Sequence, residues 1–303
     1  MTVSTAAEIK KRATKGTSIW KLAVRSFTKN RLAMAALILF LLIITACLIG
    51  PLFTGYTPNG VSMKNVNKPP SADHWLGTDK AGRDVLTRLL VGGRYSLMIG
   101  ILSEVVSILL GTVFGVLAGF YRKLDGLIMR ICDILLCLPY LVILIILAAI
   151  MSDIKVPADT RIYYIVFIIG ALGWPGLARL VRGEILSIRE QEYSLAAEAL
   201  GIRDSRRMFR HILPNTMAPI IVTATLGIGG AILSESTLSF IGLGVPPPNP
   251  SWGNMVQDAR ESANLANRMY LWMPAGLMLL ATVVSINIVG DGLRDALDPK
   301  LKH

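Results

Sequence analysis

Three carboxylates lie where carboxylates are costly: Glu104, Asp133 and Glu235 each fall within or at the edge of a long apolar run. An ionised side chain at bilayer depth is turned away from lipid, so such groups pair, meet cargo or relay protons. Glu104 and Glu235 are therefore candidate pathway residues. For Glu104 a second reading stands beside the first, a protonated or paired group that only holds helices together. Asp133 has Arg130 three residues earlier on the same helical face, which reads as a structural ion pair. A cationic set, Arg203, Arg206, Arg207 and Arg210, falls in a polar segment from Glu192 to Asn215, stranded between two apolar runs. His211, beside Arg210, reads as polar surface. His74 with Asp73 and Asp79 offers one imidazole and two carboxylates, too thin a set for a metal, and reads as a solvated turn. Asp73, Asp79 and Asp84 interleave with Arg83, Arg88 and Arg94 as local ion pairs. No phosphate loop of the G-x4-G-K-[ST] type, dinucleotide fingerprint, paired-His metal motif or nucleophile elbow occurs. No catalytic residue and no metal site is assigned, and the chain is not expected to bind or hydrolyse ATP.

The elements that must position these groups are apolar helices. Of 303 residues 53% are hydrophobic and 17% charged, with a mean hydropathy of +0.56. Six runs approach the ~20 residues that cross a hydrocarbon core: Leu32–Leu52, Leu97–Phe120, Ile131–Met151, Ile162–Ala178, Pro219–Phe240 and Tyr270–Val289. The fourth, the shortest, carries Pro175 and Gly176 and is expected to kink or unwind. The fold class is all-α and polytopic, because strand spans would show alternating polarity. With both termini inside, inner segments hold 21 Lys and Arg residues and outer segments 10. That bias places the Glu192–Asn215 segment in the cytoplasm. The net charge of +11 is then a topology signal, and nucleic acid is not expected as a partner, since the charge is spread along membrane borders. The first apolar run is too long for a signal-peptide core and is expected to stay as an anchor. Cys47, Cys132 and Cys137 imply no disulfide framework. The chain divides into an interfacial helix with the first span (1–60), an external loop (61–96) and a five-helix core (97–303) carrying the polar loop 184–215.

Within that loop, Leu195 to Leu200 favour helix, Gly201 sits where a helix ends in a left-handed cap, and Asp204 or Ser205 can cap a second short helix. Pro214 and Pro219 suit the first turn of the next span. Gly111, Gly115 and Gly119 repeat every fourth residue as a helix-packing stripe, which invites a second, similar bundle. Glu104 lies within about 20° of that face. Ile19 to Asn30 reads as an interfacial helix with Trp20, Ala23, Val24 and Phe27 on its apolar side. Trp252 reads as an interface anchor, and 254–268 as a surface helix.

Four strings carry a family resemblance. The hairpin "EYSLAAEALGIRDSRRMFRHILPN" resembles the "EAA" loop of ABC-importer permeases at Ala196, Ala197, Gly201, Leu213 and Pro214, with Leu195 in place of the leading Glu. "LGTDKAGRDVLTRLL", "ESTLSFIGLGVPPPNPSWG" and "GDGLRDALDP" resemble signatures of the C-type permease subunit in peptide and nickel importers. The resemblance implies a type I importer (MetI-like) permease fold in the bacterial cytoplasmic membrane, N- and C-termini inside. It also implies a second homologous permease subunit, two ABC ATPase subunits that bind ATP and Mg, an extracytoplasmic solute-binding protein, and peptides as cargo. The ATPase-coupling role is carried to Ala196, Ala197, Glu198, Ala199, Leu200, Gly201, Arg207, Leu213 and Pro214.

Two alternatives stay open. The same machine can carry nickel or its chelate, although the spans offer no His as a ligand. From another class, a self-sufficient ion-coupled transporter would use Glu104, Asp133 and Glu235 as a relay.

Overall fold

The computed structural model describes residues 19–154, 156–260 and 266–297. Asp298, Pro299, His303 and the middle of the expected 254–268 helix lie outside the described residues, as do the side chains of Trp20 and His211. Among the described residues there is no strand beyond an isolated bridge between Thr78 and Asp84. The elements are α1 Ile19–Lys29, α2 Arg31–Ile49, α3 Val85–Phe120, α4 Arg122–Cys137, α5 Tyr140–Asp153, α6 Ala158–Arg189, α7 Glu192–Ala199, α8 Asp204–Arg207, α9 Leu213–Phe240, α10 Trp252–Val256 and α11 Met273–Leu297. Five of these helices are long and apolar enough to cross a membrane, and the bent pair α4–α5 makes a sixth span if taken as one.

Apolar composition placed the spans, but tertiary chemistry sets their ends. α3 begins at Val85, not Leu97, because Asp84 caps it. The Asp84 carboxylate accepts from Thr87 N at 2.8 Å and Thr87 Oγ1 at 2.7 Å, and His74 Nδ1 lies 2.9 Å from its other oxygen. His74 is thus buried in a helix cap and not in a solvated turn. Asp79 pairs with Arg83 and Arg88, whereas Arg94 donates to Cys47 O and Leu48 O and caps the end of α2.

The expected third span breaks at Leu138–Pro139, with α4 and α5 bent by 85°. Proline lacks an N–H and pushes the preceding residue to extended backbone, and Leu138 sits at φ −82°, ψ 139°. Conversely α6 runs unbroken through Pro175 over 32 residues, so the expected unwinding does not occur. Asp133 pairs with Arg179 of α6 and not with Arg130, and Asp125 Oδ2 accepts from Arg182 Nη2 at 2.6 Å. Both ion pairs bind the amphipathic α4 to α6.

Glycines decide how closely the long helices approach. A Cβ on Gly111, Gly115 or Gly119 would stand 2.8, 2.6 and 2.8 Å from Leu177, Val181 and Ile185 of α6. The stripe is therefore filled by the chain's own α6 and is not left for a second bundle. α9 lies between α3 and α11, and α11 in turn packs on α1 and α2. Trp252 is fully buried and donates from Nε1 to Leu89 O at 3.0 Å, a core position and not an interface anchor. Gly93 makes the slot, since any Cβ there would strike the indole. In α1, Ala23 is buried and Phe27 approaches Gly292 of α11, while Val24 stays exposed.

Candidate functional site: a polar hairpin and a buried carboxylate

Two places gather the residues singled out by the sequence. The first is the hairpin joining α6 to α9. α7 ends in a Schellman cap: Gly201 sits at φ +69°, Ile202 N donates to Ala197 O at 3.2 Å and Gly201 N to Glu198 O at 2.9 Å. Without a Cβ, glycine adopts that backbone at no steric cost. α8 follows and passes through a π turn, Met208–Ile212, straight into α9, with Pro214 in the first turn of α9 and Pro219 inside it.

Arg207 locks the two arms. Its Nη1 lies 2.6 Å from Glu198 Oε2, its Nη2 3.4 Å from Asp204 Oδ1, and its guanidinium stands 5.4 Å from the centre of the Phe120 ring. Arg189, at the end of α6, lies 5.6 Å from the same ring and donates to Gly119 O and Phe120 O, capping the end of α3. The hairpin is thus bolted to the ends of α3 and α6. Ser194 and Ala197 form its buried side, while Ala196, Glu198, Ala199, Gly201 and Pro214 are exposed and Leu213 is half-buried. Its outer surface carries bare apolar groups: Leu200 is 80% exposed, Phe209 63% and Leu195 52%. Sequence reasoning missed Arg189 and Phe120. A cation in the last turn of a helix was the available signal for the first, and nothing local marked the second.

The second place separates the two candidate pathway carboxylates. Glu235 is wholly buried and accepts from Ser239 Oγ at 2.6 Å, Ser96 Oγ at 2.8 Å and Ser236 Oγ at 3.3 Å. Ser96 also accepts from Trp252 N, and Ser239 from Val245 N. Glu235 thereby ties α3, α9 and α10 together. Glu104 lies near the middle of α3 and lines an open cavity of about 340 Å³ walled by α3, α6, α9 and Tyr140 of α5. Tyr140 OH donates to Ser234 Oγ at 3.2 Å across that cavity. Asp133, the third member of the supposed relay, is exposed on α4 and paired with Arg179. Among the described residues no group of three or more His, Cys, Asp or Glu side chains is arranged to hold a metal ion.

Comparison with known proteins falls in line with this architecture. Residues 111–303 match the family described as binding-protein-dependent transport system inner membrane component. Residues 18–70 match the N-terminal transmembrane domain of oligopeptide transport permease C. The oligopeptide transport system permease protein OppC of Bacillus subtilis is 41% identical over 301 residues, covering 98% of this chain and 95% of the relative. The dipeptide transport system permease protein DppC of Alkalihalophilus pseudofirmus is 40% identical over 286 residues, covering 94% and 91%. DppC of Bacillus subtilis is 40% identical over 282 residues, covering 93% and 86%.

Proposed function

We propose, because this chain belongs to the family of binding-protein-dependent transport system inner membrane components, that it is a permease subunit of an ATP-driven importer carrying peptides across the cytoplasmic membrane. The relatives named for oligopeptide and dipeptide transport support peptides as cargo. The observation that carries the mechanism is the Glu192–Asn215 hairpin, a rigid, latched element that exposes Leu195, Leu200 and Phe209 outside the spans. Apolar groups bared on a polar, preorganised surface fit a protein partner better than water. That partner is an ATPase subunit, gripping the exposed side from Ala196 to Gly201.

The geometry makes the hairpin a lever. It continues α6 and α9, two of the helices that wall the Glu104 cavity, and it is tied to α3, a third, through Arg189, Arg207 and Phe120. When two ATPase subunits close around ATP, a gripped hairpin moves α6 and α9 as bodies. Nucleotide binding thereby favours one of two packings over the other. ATP and Mg stay on those subunits, and no chemical step falls to this chain. A second permease subunit completes the pathway and an extracytoplasmic binding protein delivers the cargo. Both termini face the cytoplasm, in accord with the 21-to-10 distribution of basic residues.

The test is reconstitution of the chain with its co-purifying subunits in liposomes, with a labelled peptide and its binding protein outside. Uptake that requires internal ATP is expected. Uptake by the purified chain alone, driven by a proton gradient, would overturn the reading.

A further inference from the structure

Glu104 and Glu235 lie on helices that touch, yet their surroundings are opposite. Glu235 is ringed by serine hydroxyls and sealed. Glu104 is about nine-tenths buried, and among the described residues its carboxylate has no hydrogen bond or ion pair; the Tyr140 hydroxyl within its reach donates to Ser234 instead. Ser103 beside it is also buried, and its Oγ has no partner. The carboxylate lies over Gly227 of α9, where any Cβ would collide with it. Room for the acid is thus made by a missing side chain on another helix. The described lining of the adjoining cavity contains hydroxyls from Ser103, Ser107, Tyr140, Thr223 and Ser234 but no Lys, Arg or His.

A lone carboxylate at bilayer depth is costly unless it is neutralised, and this site supplies acceptors without a cation. We propose that the cavity beside Glu104 is a docking point for an ammonium group of the cargo. The Glu104 carboxylate provides the counter-charge, and the Ser103 hydroxyl accepts one hydrogen bond. The proposal rests on the peptide reading above and deepens it. A cavity of about 340 Å³ lies at the small end of ligand sites, which span ~300–1,000 Å³. It takes a terminus or one side chain of a peptide and leaves the remainder to the open side. The ammonium comes either from the peptide's amino terminus or from a lysine.

The experiment compares three peptides in the reconstituted complex: an oligoalanine with a free amino terminus, its N-acetyl form, and an N-acetyl form with one lysine. Uptake kcat/KM is measured with the unaltered chain and with Glu104→Gln, using one binding protein throughout so that its own selectivity cancels in the ratio. The preference for free over acetylated peptide should fall about tenfold or more in Glu104→Gln, the size of a lost hydrogen bond to a charged group. Glu104→Asp should keep most of the preference. Assembly of the complex should not change. Recovery of uptake by the lysine peptide assigns the site to any ammonium, and lack of recovery to the amino terminus; both support the proposal. If Glu104→Gln fails to assemble, Ser103→Ala replaces it, with an expected fall of about fivefold in the same ratio. An unchanged ratio in the assembled variant overturns the proposal. Absence of ATP-driven uptake of every peptide by the unaltered complex would instead remove the peptide reading.

Discussion

Arg207 and Glu198 join the two arms of the hairpin from opposite environments: Nη1 meets Oε2 at 2.6 Å, yet the arginine side chain is 5% exposed and the glutamate 59%. Because one partner is in water, the ion pair itself contributes only about 0–1 kcal/mol. What Arg207 does beyond charge is fill the space over Phe120 and hold Asp204. Arg207→Ala should loosen the hairpin by about 2 kcal/mol, mostly through lost packing. Amide exchange across 192–207 should quicken, and peptide uptake should fall while ATP hydrolysis by the complex persists. Arg207→Lys should rescue little, since an ammonium cannot contact two carboxylates and stack on a ring together. Glu198→Gln should be nearly silent in exchange.

Gly201 separates conformational from steric cost. Nothing lies within 4 Å of a Cβ at this position, but its φ of +69° disfavours one. Gly201→Ala should therefore destabilise the cap by about 1 kcal/mol and leave uptake measurable. Gly201→Pro cannot adopt the angle and also loses the N–H bonded to Glu198 O. It should insert normally into the membrane and abolish uptake. Transport assays on both variants, with membrane levels measured by immunoblot, give the comparison.

The glycine stripe makes a graded prediction. At Gly115 a Cβ would face Val181 Cβ at 2.6 Å and the Ala178 carbonyl at 2.8 Å, whereas at Gly173, on the α6 side of the same interface, it would face the Ser107 hydroxyl at 3.0 Å. A hydroxyl can rotate away, but a carbonyl and a Cβ move only with the backbone. Gly115→Ala should cost about 2–3 kcal/mol and Gly173→Ala about 1 kcal/mol or less. Thermal unfolding in detergent should rank them in that order, and equal midpoints would refute the packing argument.

The hairpin was legible because its chemistry is local: helix formers, then glycine, then arginines, all within one short segment. The apolar runs were legible for the same reason. Their limits were not, because Asp84 caps α3 together with His74, ten residues earlier, and Pro139 breaks a run that composition alone reads as continuous. Long-range partners escaped too. Asp133 has Arg130 in reach along its own helix but is taken by Arg179. The two acids of the spans looked alike in sequence. What separates them is Ser96 on one side and Gly227 on the other, each on a different helix from the acid it serves.

Glu235 should then behave as a structural latch, in contrast to Glu104. Replacing it with alanine leaves Ser96 and Ser239 without their acceptor and opens a void among α3, α9 and α10. Loss of both costs about 3 kcal/mol or more. Glu235→Gln keeps the volume and one acceptor oxygen, so that it should cost about 1 kcal/mol as the serine hydroxyls reorient. Thermal unfolding in detergent should therefore order Glu235→Ala well below Glu235→Gln and the parent. Glu104→Gln, which breaks no hydrogen bond among the described residues, should unfold with the parent. An Glu235→Ala protein as stable as the parent would refute the latch, because a fully buried carboxylate holding three hydroxyls cannot be removed without exposing their unmet bonds.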